Sequence, residues 1–148
     1  MKFFAELDID KLKGYLILLD IDGTLTHNRL SAMERATIEK VKELKKHNVI
    51  YLVSNRNDHA RNKKVGECAN VEYLETNLRK PSTRIVKLLK NPLKKPLLVI
   101  GDKFLTDGIF AKRIHAKFIK VKRLTSYKDG SFMTAVYFID DLIYKLFS

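Results

Sequence analysis

One cysteine, Cys68, stands alone among the 148 residues, so no intramolecular disulfide can form and the chain fits a reducing compartment. In "VGECANVEYL" it falls at the expected end of an amphipathic helix, where a buried small residue is expected rather than a nucleophile. No apolar run is long enough to cross a bilayer. The longest stretch without charge, "GSFMTAVYFI" from Gly130 to Ile139, has about ten residues, against the roughly 18 to 20 that a spanning helix needs. The N-terminal "MKFFAELDIDKLKG" meets charge before it can build the apolar centre of a signal peptide, so the expected location is cytoplasmic, with peripheral membrane contact left open. No linker-like or low-complexity stretch divides the chain, and residues 1–148 are expected to form one domain, long enough to bury about two thirds of its unfolded surface. Acidic residues are the minority. The 17 Asp and Glu face 29 Lys and Arg, and the resulting charge of +12 favours anionic partners: phosphorylated substrates, an acidic membrane surface or nucleic acid.

What is present is an alternation. Short runs rich in Ile, Leu and Val occur as "YLILL" before Asp20, "VIYLV" before Ser54, a weaker "VEYL" from Val71, "PLLVI" before Gly101 and "KFIKV" ending at Val121. Between them, helical spacing of apolar residues predicts helices at about 31–47, 59–69, 82–89 and 105–115. A last segment, about 133–147, has helical length and is expected to pack on the domain as core rather than dock on a membrane. Repeated βα alternation with runs apolar throughout implies α/β class: a Rossmann-like three-layer α/β/α domain around a five-stranded, mainly parallel sheet.

In such sheets ligands bind beyond the carboxyl ends of the strands, so the polar residues that end each run are the candidates. The first run ends in "DIDGTLT". Residues i and i+2 of an extended segment point to one side, so Asp20 and Asp22 can share a pocket, a costly arrangement unless a cation compensates or one carboxyl is protonated. Gly23 allows close backbone approach to a phosphate, and Thr24 offers a further donor. An Asp-Gly hairpin turn is the competing reading, but the chain continues into a helix, with a Ser-x-x-Glu capping pattern from Ser31 to Glu34. The tetrapeptide LDID also occurs at Leu7–Asp10, without a strand before it or Gly-Thr after it. There an aspartate is expected to cap a short turn while Leu12 anchors the lead-in to the core.

"DIDGTLT", Ser54, Lys80 and "GDKFLTD" together resemble, in order and placement, the four motifs of the haloacid-dehalogenase-like phosphatase superfamily over about residues 15–121. The resemblance implies that Asp20 is the nucleophile that takes a phosphoryl group, and Asp22 the acid and base. It further implies that Asp102 completes a Mg²⁺ site with Asp20 and the backbone carbonyl of Asp22, and that Asp107 supports the metal shell. Ser54, with Asn55 beside it, would bind phosphate, and Lys80 would neutralise charge on the phosphorus. Neither 26–31 nor 54–80 has room for a cap domain. The lead-in "LDIDKLKGYLILLDIDGTL", "RKP" around Lys80 and "GDKFLTDGIFAKR" resemble the phosphatidylglycerophosphate phosphatase branch, which is capless. Arg56 and Gly23 depart from that branch's usual residues. Arg56, Arg79, Lys103 and Arg113 are candidates for a second phosphate or diester.

The implied function is Mg²⁺-dependent hydrolysis of phosphatidylglycerophosphate or a similar lipid phosphate through an aspartyl-phosphate. The alternatives are a sugar-phosphate or polynucleotide 3′-phosphate phosphatase, and a basic nucleic-acid-binding module that kept the fold.

Overall fold

In a computed structural model, which describes residues 1–126 and 129–148, five strands form a sheet in the order β3-β2-β1-β4-β5, with every pair parallel. The strands are β1 Leu16–Leu19, β2 Val49–Leu52, β3 Glu72–Tyr73, β4 Leu97–Gly101 and β5 Lys117–Lys120. The chain builds outward from β1 to β3 on one side and returns to build β4 and β5 on the other. The carboxyl end of β1 therefore lies at the point where the strand order reverses, the usual place for a ligand crevice. Leu19 pairs with Leu52 and with Ile100, so the three central strands end level with one another.

All of β1 is buried, and its alternation divides the core into two layers. Ile17 and Leu19 pack with Val41, Leu44 and Val65 from α1 (Arg35–Lys45) and α2 (His59–Ala69). Leu16 and Leu18 face the other way, onto Ile85 of a 3₁₀ segment, Thr83–Leu88, and Phe110 of α3 (Ile109–Arg113). The α/β sandwich follows from strands apolar on both faces, each needing a covering layer. No cap domain interrupts it among the described residues.

Several local expectations shift. The 31–34 capping box does not form: α1 starts at Arg35 with Glu34 at its N-cap and no side-chain cap bond, while Met33 packs against the core from the extended lead-in. The segments expected as helices at 82–89 and 105–115 are tighter or wider than an α-helix, a 3₁₀ turn and a π-helical turn, Phe104–Gly108, leading into α3. Cys68 is exposed, because the inward stripe of α2 is Arg61, Val65 and Ala69, and residue 68 falls off it. The first LDID lies on the surface: the Asp8 carboxylate accepts the Asp10 N–H at 3.2 Å, and Leu12 is buried. The last helix, α4 (Ser131–Phe147), buries only Tyr137 and Asp140, which corrects its reading as a core helix.

Candidate active site

At the carboxyl edge, Asp20 follows β1, Ser54 follows β2 and Asp102 follows β4. Lys80 reaches in from the loop after β3, and its buried ammonium sits between Asp20 Oδ1 at 2.6 Å and Asp107 Oδ1 at 2.5 Å. Burial works against that charge, but the carboxylates of Asp107 and Asp20 outweigh it, and the Lys80 pKa lies above the ordinary lysine value. The other Asp20 oxygen accepts the Thr24 hydroxyl at 3.1 Å, so Thr24 orients Asp20 instead of standing free for a ligand. Asn55 grips the Lys80 backbone from both sides, accepting its N–H at 2.7 Å and donating to its C=O at 2.9 Å. The Lys80–Pro81 peptide is cis.

Asp22, which lines the same cavity, has other partners. Its carboxylate is bracketed by the Arg61 guanidinium through both oxygens, accepts the Arg29 N–H at 2.9 Å, and lies 3.5 Å from the Ser54 hydroxyl. Burial pushes its pKa up, yet the Arg61 hydrogen bond, the Arg29 N–H and the charges of Arg61 and Arg56 prevail, and Asp22 is held below the usual carboxylate range. Arg61 does not stand out in the sequence as a site residue. The signal available was its place at i in an i, i+4, i+8 stripe with Val65 and Ala69, which puts an arginine on the inward face of the helix after the second motif. Asp58 caps that helix at the Arg61 N–H, 3.1 Å away, and fixes where the side chain starts.

Asp20, Asp102 and Asp107 each bring a carboxylate oxygen to within 4.8 Å of the others. Burial, then the Asp20 charge, pushes Asp102 up to about 7, with Lys103 and Arg123 pulling the other way. Burial also pushes Asp107 up to about 6 against the pull of Lys80. Asp102 Oδ1 is buried with no hydrogen-bond partner. Three converging carboxylates, one with an orphaned oxygen, offer only hard oxygen donors, which fits a divalent cation of the Mg²⁺ type. The Asp22 carboxylate is outside this trio. Gly23, at φ +82°, is shaped by Asp102: a Cβ there would stand 2.6 Å from Asp102 Oδ2.

A polar cavity of about 510 Å³ opens over Asp20, Asp22 and Asp107. Arg29, Arg56, Arg79 and Lys103 line it. Arg113 does not line it and instead donates to the Pro81 carbonyl at 3.3 Å. The family model described as Mitochondrial PGP phosphatase matches residues 4–123. The chain belongs to this family. That family supports a phosphatase acting on a lipid phosphate. No curated protein and no solved structure matches the chain.

The family match ends before α4, yet α4 supports the site. Asp140 is buried and accepts the N–H groups of Phe104 and Leu105 at 2.9 and 2.7 Å, capping the π-helical turn that carries Asp107. It also pairs with Lys120 at 2.6 Å, and Lys120 in turn donates to the Asp102 carbonyl at 2.7 Å. Arg123 bridges to Asp102 Oδ2 at 2.6 Å. Burial raises the Asp140 pKa, but the two N–H groups and Lys120 win, and it lies below the ordinary value. A depressed folded pKa contributes stability above the unfolded pKa that is lost as pH falls through the folded one. Asp140→Asn is expected to cost ~2 kcal/mol at pH 7, as loss of charge-assisted hydrogen bonds does. In urea unfolding the wild-type advantage should shrink as pH falls below about 4; an advantage constant from pH 7 to 3 would contradict this account.

Proposed function

We propose that residues 1–148 act as one Mg²⁺-dependent phosphomonoesterase domain of the haloacid-dehalogenase-like type. Its substrate is phosphatidylglycerophosphate or a closely similar lipid phosphate. The observation that carries this reading is Asp20, held by Lys80 and Thr24 on the cavity floor, with Asp102 and Asp107 beside it and Asp22 two residues away. A carboxylate oxygen of Asp20 attacks phosphorus, the ester P–O bond breaks, and the leaving oxygen takes a proton from Asp22. Water then gives a proton to Asp22 and attacks the aspartyl-phosphate, releasing inorganic phosphate and restoring Asp20. Asp20, Asp102 and Asp107 would hold the metal, which would supply positive charge for the substrate phosphate to approach three carboxylates. Lys80 adds a fixed cation at the same place, and Ser54 a hydroxyl on the cavity wall.

The Arg61 clamp bears on the first step. Resting Asp22 is a carboxylate, the form that serves as base. To act as acid it must take up a proton, and an arriving phosphate favours this by competing for the guanidinium groups around Asp22. Arg56 is placed for that competition: its Nε is buried without a hydrogen-bond partner, 3.6 Å from Asp22 Oδ2. The open, capless cavity suits a phosphate whose lipid portion stays outside.

The test compares phosphatidylglycerophosphate in vesicles with a soluble sugar phosphate and a polynucleotide 3′-phosphate, each with Mg²⁺ and with chelator. Hydrolysis of the lipid phosphate should exceed the others by ~10-fold or more in kcat/KM and vanish with chelator. Preference for a soluble ester would sink the substrate, and activity undiminished by chelator would sink the metal.

A further inference from the structure

Among the described residues, six of the eleven exposed large hydrophobic side chains belong to α4: Phe132, Phe138, Ile139, Leu142, Leu146 and Phe147. At 100° per residue, all but Phe147 fall within an arc of about 120°, so they form one continuous outward stripe. Phe132, Phe138 and Leu146 are 77%, 70% and 72% exposed. The acids of α4 are both tied to the domain: Asp140 is buried against the Phe104 and Leu105 N–H groups, and half-exposed Asp141 pairs with Lys120 at 2.9 Å. The remaining charged residue of α4, Lys145, is exposed.

From this arrangement, we infer that the outward face of α4 docks on an anionic lipid bilayer, lying in the headgroup region parallel to the membrane. Three observations select that occupant. No helix of the described residues is long and apolar enough to cross a membrane, so a stripe of this kind lies on the surface. The chain carries +12, which attracts an anionic bilayer and repels a second copy of itself. The amino-terminal end of α4 lies beside the site, since Met133 lines the same cavity as Asp20 and Asp22. The inference rests on the lipid-phosphate reading for the identity of the substrate, but the surface itself is tested by binding alone.

The experiment is flotation of the full chain with phosphatidylcholine vesicles, with and without phosphatidylglycerol, for the wild type, the double variant Phe138→Glu/Leu142→Glu and the single variant Leu146→Glu. All three changes are at exposed positions outside the catalytic machinery, and circular dichroism checks the fold. Wild type should float with the phosphatidylglycerol vesicles, and the double variant's bound fraction should fall by ~10-fold or more, with Leu146→Glu between them. Hydrolysis of soluble p-nitrophenyl phosphate should stay within ~2-fold. Equal flotation of wild type and variants, or no flotation of wild type, overturns the inference. So does sedimentation showing a wild-type dimer that the double variant splits, since a second copy then occupies the face. A wild type that floats but hydrolyses no phosphate ester would instead refute the phosphatase reading and leave the surface standing.

Discussion

Asp20→Asn is expected to reduce turnover by ~10⁴-fold or more while leaving thermal unfolding within a few degrees of the parent. The first half follows from the role proposed for Asp20, because an amide nitrogen or oxygen cannot take the phosphoryl group as the carboxylate does. The second half follows from the charges on the floor of the cavity. Asp20 is one of the causes that push Asp102 and Asp107 up, so its neutralisation relieves both. Lys80 loses one partner but keeps Asp107 at 2.5 Å. The Thr24 hydroxyl, now at 3.1 Å from Asp20 Oδ2, can still donate to an amide oxygen. Most single changes at buried polar groups lose stability, so a dead enzyme with an undiminished melting temperature is a specific result. A variant that keeps more than ~1% of the activity would remove Asp20 from the chemistry. Asp8→Asn and Asp10→Asn serve as controls in the same assay, since both side chains are exposed and their turn is remote from the cavity.

Lys80→Met should do the opposite to stability. Methionine fills nearly the volume of the lysine stem, so the change removes a charge and leaves little cavity. What remains is Asp20, Asp102 and Asp107 converging with Arg123 as the close ion-pair partner of Asp102. Breaking a buried pair by deleting one partner costs ~3–5 kcal/mol, and here one ammonium serves two carboxylates. The metal-free variant should unfold at clearly lower urea concentration than wild type. Its midpoint should rise more with added Mg²⁺ than the wild-type midpoint does, because the cation replaces charge that the variant lacks. Turnover should fall by ~10²–10³-fold, the range for loss of one fixed transition-state donor. A variant within ~1 kcal/mol of wild type would show that Lys80 is not what holds the three carboxylates together.

Both predictions concern residues visible in the sequence, and the reason they were visible is local. A strand alternates every two residues and a helix repeats every 3.6, so apolar runs and stripes announce where elements lie, and a polar residue that ends a buried run must sit at the sheet edge. This is why Asp20, Ser54 and Asp102 were placed at the carboxyl ends of three strands from spacing alone. The same reasoning failed where ends are decided by neighbours. Residues 31–34 carry a capping pattern but stay outside the helix, with Met33 packed against the core. Around Asp107 the backbone is a π-helical turn whose N–H groups are satisfied by Asp140, more than thirty residues away.

The sequence by itself determined the α/β class, the order of the strands along the chain, the edge where the polar residues gather and the resemblance that names their chemistry. The tertiary structure decided who holds whom. Arg61 on Asp22, Arg123 on Asp102, Asn55 on the Lys80 backbone and Asp140 on the loop of Asp107 are contacts across 21 to 39 residues of chain. No periodicity encodes such pairs. They arise because burial leaves a charged or polar group no water to bond, so it must find its partner in whichever element the packing brings alongside. The same packing buries Asp140 of α4 against the domain and leaves its apolar stripe facing out, where hydrophobic spacing alone assigns that stripe to the core.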